Sequence, residues 1–238
     1  KAMHETGKPV IYVNCSGSAI ALADIDYAYD ALLQAWYPGQ EGGTAVADVL
    51  FGDYNPSGKL PVTFYKSTEQ LPEFTDYSME NRTYRYFKGE PQYAFGYGLS
   101  YTEFALDHFK IEKTEIPTDG KIEVSCTVSN IGAVAGDEVV QLYQAFHGAH
   151  VVRPNKQLAG FKRVHLNAGE TKKITFNLDT AQLGNYDEEM QFVVEPGQLD
   201  IMVGTSSEDL PFKETISLTG EKICVAGKRS YTCEVEEK

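Results

Sequence analysis

The residues best suited to chemistry lie in one stretch, AWYPGQEGGTAVADVLFGDYNPSGKLPVTF (35–64), which combines glycine-rich turns with a carboxylate and a lysine. A phosphate-binding loop needs four residues between its first glycine and a Gly-Lys-Ser/Thr end, so that backbone amides hold phosphate and the hydroxyl reaches magnesium. Here five residues separate Gly52 from Gly58, and Leu60 stands where the hydroxyl is required. The spacing excludes a phosphate-binding loop.

Glu41 is the carboxylate of this stretch that invites acid–base chemistry. It stands before a helical pattern, EGGTAVADVLFG, in which Ala45 and Val49 share one face. Hydrolysis of a glycosidic bond needs two carboxyl groups flanking the bond, and no motif ties a second carboxylate to Glu41. We therefore interpret Glu41 as a charged residue at a helix N-terminus, where the helix dipole favours negative charge.

Two serines follow the apolar stretch KPVIYVNC, in the segment VNCSGSA. A nucleophile elbow requires Gly-x-Ser-x-Gly on a sharp strand-to-helix turn. Asn14 occupies the first glycine position before Ser16, and Ile20 occupies the second one after Ser18. The elbow is excluded, although a loop at the end of a buried strand can still line a ligand cleft.

His147 and His150 lie three residues apart, a spacing that could place two imidazoles on one metal ion. No Cys, Asp or Glu cluster stands near enough in the sequence to complete such a site. We interpret both histidines as structural residues at a loop tip between two strands.

Asn14 and Asn81 both begin an Asn-x-Ser/Thr triplet, the acceptor pattern for an N-linked glycan. Asn14 falls in a predicted buried strand, which indicates that its triplet matches the acceptor pattern by chance. The Asn81 triplet lies in an irregular, turn-rich segment.

Four cysteines are too few and too dispersed for a disulfide scaffold, and no Cys-x-x-Cys pair indicates zinc. Cys15 and Cys126 lie in apolar strand patterns, which favours small buried side chains. Cys224 and Cys233 flank KRS, and a hairpin turning at Lys228 and Arg229 would bring them close enough to bridge. Two unpaired strand cysteines are the alternative.

The chain has 238 residues, a net charge of −13 and an isoelectric point near 4.8. This acidity disfavours a nucleic-acid partner, because phosphate binding relies on clustered Lys and Arg. No apolar run approaches the roughly 20 residues that span a bilayer, so a membrane location is not expected. A neutral or polar ligand fits the composition better.

The hydrophobic periodicity divides the chain into two kinds of structure. The segments KPVIYVNC and ALLQAWY are continuous apolar runs typical of buried parallel strands, and KLPVTFY is predicted to be extended. Residues 66–104 lose periodicity and fill with turn formers and aromatic residues. From about residue 106 the pattern alternates, as at Ile122, Val124, Cys126 and Val128, which predicts an antiparallel sandwich.

Several ordered segments resemble the C-terminal half of glycoside hydrolase family 3: GKPVIYVNCSGSAIAL, the 35–64 stretch, QLPEF, YRYFKGEPQYAFGYGLSYTEF and RPNKQLAGFKRVHLNAGETKKITFNL. The resemblance covers nearly the whole chain and is strongest to bacterial β-xylosidase and β-glucosidase members. It implies part of an α/β sandwich domain with a largely parallel sheet, including the aromatic-rich join, over residues 1–98. An all-β fibronectin type III-like sandwich with a C-terminal hairpin would follow over residues 99–238.

The same resemblance implies exo-acting hydrolysis of terminal β-linked sugars with retention of configuration. In such enzymes an aspartate on an N-terminal barrel is the nucleophile, and a glutamate upstream of the GKPV strand is the acid/base. Neither residue maps onto these 238 positions, so no catalytic, cofactor-binding or metal-binding residue is assigned here. Glu41 maps onto a position that is not the acid/base, and no cofactor is implied.

We therefore expect the C-terminal portion of a retaining β-glycosidase, inactive alone, whose substrate is a β-linked oligosaccharide or glycoside. Its partners would be the missing barrel and upstream sandwich segment, with a homodimer of the parent enzyme possible and a periplasmic or secreted location. The alternatives are a non-catalytic carbohydrate-binding or interaction module, and a subunit that rebuilds the site with a barrel partner. Against a binding module, the only tryptophan, Trp36, lies in a buried type of strand.

Overall fold

The computed structural model describes residues 2–148 and 151–238. The chain forms two compact units. The first unit contains the residues up to Pro56 together with Leu60–Gly96, and the second contains Ser57–Lys59 together with Tyr97–Lys238. Among the described residues, no helix has the length and apolar character needed to cross a membrane.

The first unit is built on two short strands, β1 (Ile11–Asn14) and β2 (Ala31–Gln34). They pair in parallel, as their continuous apolar runs predicted. A 3-10 turn, Ala23–Ala28, makes part of the crossover between them. The turn after β2 then opens helix α1 (Gly42–Phe51), which ends at Gly52 in the left-handed conformation.

Helix α1 forms where its periodicity predicted, yet its apolar face is not buried in this chain. Gly42 is its only buried residue, and Phe51 is 85% exposed. The buried apolar side chains of the unit are few and include Leu22 and Phe64. A largely uncovered parallel sheet and helix are unusual, because parallel sheets are normally covered on both faces.

The segment between α1 and the sandwich is irregular, as its turn-rich composition indicated. It contains one 3-10 turn (Thr68–Gln70) and one short helix, α2 (Thr83–Tyr86). The extended structure predicted for KLPVTFY was wrong in extent: only Phe64 makes a bridge, with Tyr93. Here the backbone has no neighbouring strand within the described residues to continue the pairing.

The second unit is a β-sandwich, as the alternating patterns predicted. Its strands are Phe104–Ile111 (β3), Glu115–Pro117 (β4), Lys121–Asn130 (β5), Gly136–His147 (β6), Gln157–Leu166 (β7), Thr171–Asp179 (β8), Asn185–Tyr186 (β9), Phe192–Val194 (β10), Gly197–Gly204 (β11), Phe212–Thr219 (β12), Ile223–Cys224 (β13) and Glu234–Glu237 (β14). One sheet has the order β4-β12-β11-β6-β7 and the facing one β14-β8-β5-β3, while β13-β10-β9 form a small third sheet. Among the described strands of these sheets, only β4 and β12 pair in parallel.

The sandwich core comes from every second residue of its strands. On β5, β8 and β11 the inward positions are almost completely shielded from solvent, and these strands carry the alternation seen in the sequence. Each buried aliphatic or aromatic side chain contributes roughly 1.5–3 kcal/mol relative to exposure. The inward residues of these three strands are Ile122, Val124, Cys126, Val128, Ile174, Phe176, Leu178, Leu199, Ile201 and Val203.

The expected C-terminal hairpin does not form. Cys224 lies on β13, opposite Val193 of β10, whereas Cys233 precedes β14, which pairs with β8 in another sheet. Both cysteines are free thiols. The physical reason is that Val225 is buried in the core, which commits β13 to β10, while β14 completes the open edge of β8.

Two glycines of the second unit give a matched test of backbone packing. A Cβ built on Gly98 would overlap the carbonyl oxygen of Gly58, a backbone atom that cannot move aside, whereas a Cβ on Gly58 meets nothing within 4 Å. We expect Gly98→Ala to lower the free energy of unfolding by about 2 kcal/mol. Gly58→Ala should change it by less than about 1 kcal/mol. Urea denaturation measures both, and equal stabilities of the two variants would contradict the packing.

Candidate functional site

The carboxyl ends of β1 and β2 meet at one edge of the parallel pair and carry a polar network. The Asn14 amide donates to Gln34 Oε1 at 2.6 Å and to Ser16 Oγ at 3.0 Å. The Gln34 amide donates to the same Ser16 oxygen at 3.3 Å. Ligands of open α/β sheets bind outside this edge, so we take this network and the loops beside it as the candidate site.

The loop after β2 is held at both ends. Trp36 has a positive φ of 55°, a conformation that costs about 1–3 kcal/mol for a residue other than glycine. Its ring packs edge-to-face on the buried Phe64, with 6.1 Å between ring centroids. Pro38 lies so close to Gly42 that a Cβ there would come within 2.6 Å of the proline ring. These contacts fix the loop between β2 and α1.

Between those two anchors, Tyr37 points into solvent. The residue is 79% exposed. Its ring also lies against the Gly17 backbone, because a Cβ at Gly17 would stand 2.6 Å from ring carbon Cε2. The candidate edge therefore presents an exposed aromatic ring near amide and hydroxyl groups.

Glu41 lies where the sequence placed it, immediately before α1, and is exposed. Its side chain makes no capping hydrogen bond to the helix backbone, but it accepts one from Thr44 Oγ1 at 3.2 Å. The carboxylate thus contributes charge at the helix N-terminus rather than a backbone cap. Its role outside the catalytic pair stays a prediction.

Within the part of the chain that the structure describes, the hydrogen-bond partners of Ser16 include no base that could activate it. Its hydroxyl donates to the Ser18 carbonyl at 2.9 Å and accepts from the Asn14 and Gln34 amides. A nucleophilic serine needs an adjacent general base such as histidine. The arrangement supports the exclusion of a nucleophile elbow.

The two glycan-acceptor triplets differ in accessibility. Asn14 is 4% exposed and its amide is engaged, so the chance match predicted there agrees with the burial. Asn81 is partly exposed and adopts a positive φ of 57°. Asparagine is among the residues that tolerate this conformation.

Of the two histidines, His150 lies outside the described residues. His147 ends β6, and its Nε2 lies 2.7 Å from Asp200 Oδ2 on the neighbouring β11. Among the described residues, no group of three or more His, Cys, Asp or Glu is arranged to hold a metal ion. The structural interpretation of His147 agrees with this pairing.

Asp200 is a buried carboxylate that the sequence did not single out. It also accepts hydrogen bonds from Thr215 Oγ1 at 2.6 Å and pairs with Lys213 Nζ at 2.7 Å, both on β12. Burial raises its pKa, but the donors Lys213, Thr215 and His147 outweigh burial and lower the pKa to about 2. Asp200 is therefore held as a carboxylate on the face of β11 opposite the core-facing Leu199 and Ile201.

Lys59, the lysine of the rejected phosphate loop, has a structural partner. Its ammonium group donates to the Gly98 carbonyl at 2.8 Å and pairs with Glu138 Oε1 of β6 at 2.7 Å. The two side chains are only 13% and 9% exposed. The Lys59 ammonium group is therefore paired within the second unit and is not available to bind a phosphate.

Cys15 and Cys126 were both predicted to be buried, and the prediction is confirmed for one of them and wrong for the other. Cys126 is buried on β5, and burial raises its pKa to about 11, so it stays an unreactive thiol. Cys15, predicted to be buried, is exposed. The reason is that β1 ends at Asn14, and the chain turns outward at the next residue.

Sequence reasoning found the loop after β1 but missed Gln34 and Tyr37. A signal for Gln34 existed, because the ends of two parallel strands meet at one edge and Asn14 and Gln34 both end such runs. The position of Tyr37 against Gly17 depends on the tertiary fold, and no local pattern encodes it.

Two family models match the chain. Residues 1–101 match the glycosyl hydrolase family 3 C-terminal domain. Residues 138–207 match a fibronectin type III-like domain.

The relatives of the chain are glycosidases of which it spans only a part. It is 50% identical over 225 residues to a xylan 1,4-beta-xylosidase of Xylanibacter ruminicola, covering 92% of this chain and 25% of that protein. It is 39% identical to a periplasmic beta-glucosidase of Salmonella typhimurium, covering 87% of this chain and 28% of that protein. The chain thus spans about a quarter of the length of these relatives.

Solved structures agree with the fold. Beta-glucosidase 3B from Thermotoga neapolitana, in complex with alpha-D-glucose, superposes with a TM-score of 0.84 at 32% identity, over 93% of this chain and 33% of that one. Both the order of the domains and the sandwich architecture that the sequence predicted are confirmed. The chain matches the C-terminal part of a glycoside hydrolase family 3 enzyme.

Proposed function

We propose that the chain is the C-terminal portion of an exo-acting, retaining β-glycosidase, a β-xylosidase or a β-glucosidase. The observation that carries this proposal is the 50% identity to a xylan 1,4-beta-xylosidase over 92% of the chain. Identity at that level extends through both units rather than through one module. The periplasmic beta-glucosidase among the relatives supports proposing a periplasmic or secreted location as well.

In this proposal the reaction uses two carboxyl groups that other parts of the enzyme provide. One forms a glycosyl-enzyme intermediate, and the other protonates the leaving group and then activates water. Two carboxylates of the second unit are already paired with cations, Asp200 with Lys213 and Glu138 with Lys59. The contribution of this chain to the substrate cleft is the carboxyl edge of β1 and β2.

The uncovered faces of the first unit favour a further partner surface in the parent enzyme. Ile11, Phe51 and Phe74 are all at least half exposed, on the strand, the helix and the loop. Exposed apolar surface of this extent marks an interaction site. We propose that the upstream part of the sandwich domain covers it, and a homodimer of the parent remains a further proposal.

A chimera tests the proposed function. The C-terminal quarter of the Xylanibacter ruminicola xylosidase is replaced by these 238 residues, and hydrolysis of p-nitrophenyl β-xyloside and β-glucoside is followed. We expect the chimera to retain at least about a tenth of the parental kcat/KM, a loss of at most about 1.4 kcal/mol in transition-state stabilisation. The isolated chain and the truncated xylosidase should both be inactive. A folded chimera that hydrolyses neither substrate would overturn the proposal.

A further inference from the structure

Tyr37 is an exposed aromatic residue of the first unit that lies in a loop held at both ends. Its neighbours on both sides are anchored, Trp36 on Phe64 and Pro38 on Gly42. The edge of its own ring that carries Cε2, Cζ and the hydroxyl lies beside Gly17, and the residue is 79% exposed. Two other exposed rings of the unit, those of Phe74 and Tyr77, are carried on the irregular segment.

The surroundings of this ring are polar at the same sheet edge. Gly17 stands between Ser16, whose hydroxyl joins the Asn14 and Gln34 amides, and the exposed Ser18. A preorganised ring beside amides and hydroxyls loses little conformational entropy on binding a ligand. The strained φ of Trp36 also favours a ligand-binding role for this loop, because such strain clusters at ligand-binding sites.

We propose that Tyr37 is a sugar-binding residue, whose ring stacks on one pyranose ring of a β-linked substrate. A pyranose has an apolar C–H face and a rim of hydroxyls, so it matches a flat aromatic ring flanked by hydrogen-bonding groups. The inference rests on the proposed function for the class of ligand, a β-linked xyloside or glucoside. It adds a binding residue from the loop between β2 and α1.

The test is a titration of the 238-residue chain, with its tyrosine rings labelled with carbon-13, with xylobiose and with cellobiose. We expect the Tyr37 ring signals to shift, with a dissociation constant on the order of 1 mM for at least one of the two sugars. Tyr37→Ala should weaken binding at least about tenfold, a difference of about 1.4 kcal/mol. Tyr37→Phe, which keeps the ring, should bind nearly as well as the wild type.

Two further variants separate stacking from a general loss of structure. Tyr77→Ala removes another exposed tyrosine, 85% exposed, and should leave binding unchanged. Gly17→Ala should displace the Tyr37 ring, since a side-chain ring can move aside, and should weaken binding while the fold persists. Tyr37 signals that do not respond to either sugar, or an equal affinity of Tyr37→Ala and wild type, would overturn the inference.

The outcomes also distinguish this inference from the proposed function. If the chimera is active but the Tyr37 ring signals do not respond to either sugar, sugar stacking by Tyr37 is refuted and the glycosidase assignment stands. A positive titration together with an inactive, folded chimera would refute the glycosidase assignment and make the chain a carbohydrate-binding module.

Discussion

Asp200→Asn is expected to destabilise the β-sandwich by about 3 kcal/mol. The wild-type carboxylate is 4% exposed and satisfies an ammonium group, a hydroxyl and an imidazole at once. The asparagine amide would aim its own N–H donors at one or more of these donors, so the Lys213 ammonium group or the Thr215 hydroxyl would lose its acceptor at a buried position of β11. Urea denaturation at neutral pH measures the loss.

The pH dependence gives the same prediction a second readout. Because the pKa of Asp200 lies at about 2 in the folded chain and at 3.8 ordinarily, its ionisation stabilises the fold above pH 4 by about 2 kcal/mol. That contribution is lost as the pH falls through the folded pKa. The Asn variant should lack this part of the acid sensitivity between pH 4 and pH 2.

The matched control is Glu115→Gln, an exposed carboxylate on β4 whose side chain makes no hydrogen bond or ion pair with a described residue. It should change stability by less than about 0.5 kcal/mol. If Asp200→Asn were as mild as this control, the buried network would not hold the three strands as inferred.

Lys59→Met should also lower the free energy of unfolding of the second unit, by about 3 kcal/mol. The substitution keeps most of the apolar stem but leaves the Glu138 carboxylate, 9% exposed, without its cation, and the Gly98 carbonyl without its donor. An uncompensated buried charge is costly, because the protein interior solvates it poorly. The measurement is again equilibrium denaturation by urea.

A double variant separates the ion pair from simple packing. Lys59→Met combined with Glu138→Leu removes both charges, and it should be at least about 1 kcal/mol more stable than the sum of the single effects predicts. The exposed Lys228→Met serves as the control for loss of a surface lysine. Strict additivity of the two single variants would show that the pair is not coupled.

The local part of the structure was predictable because it depends on neighbours in the sequence. Alternation on β5, β8 and β11 followed from the two-residue repeat of a strand with one face in a core. The glycines and proline of the turn after β2 and the spacing of the apolar residues predicted α1. The strand patterns show which face of each strand is buried, whereas the apolar face of α1 is not buried in this chain.

The candidate site was predictable only in part. The end of β1 was recognised as a place that could line a cleft, but its partner Gln34 and the ring of Tyr37 were not. Both belong to the next strand and its loop, and their distance from Asn14 and Gly17 follows from the parallel pairing of β1 with β2. Exposure of Cys15 likewise depended on where that pairing ends.

By itself, the sequence predicted the order of the two parts, the alternating strands β5, β8 and β11 of the sandwich, and the similarity to family 3 enzymes. The tertiary structure decided which polar groups are paired: Lys59 with Glu138, His147 with Asp200, and Cys224 apart from Cys233. The physical reason is that burial of a charge or thiol is set by which distant strands become neighbours in a sheet. The arrangement of strands that forms is the one that leaves the least apolar core surface exposed over the whole unit. No short segment of the sequence encodes that arrangement.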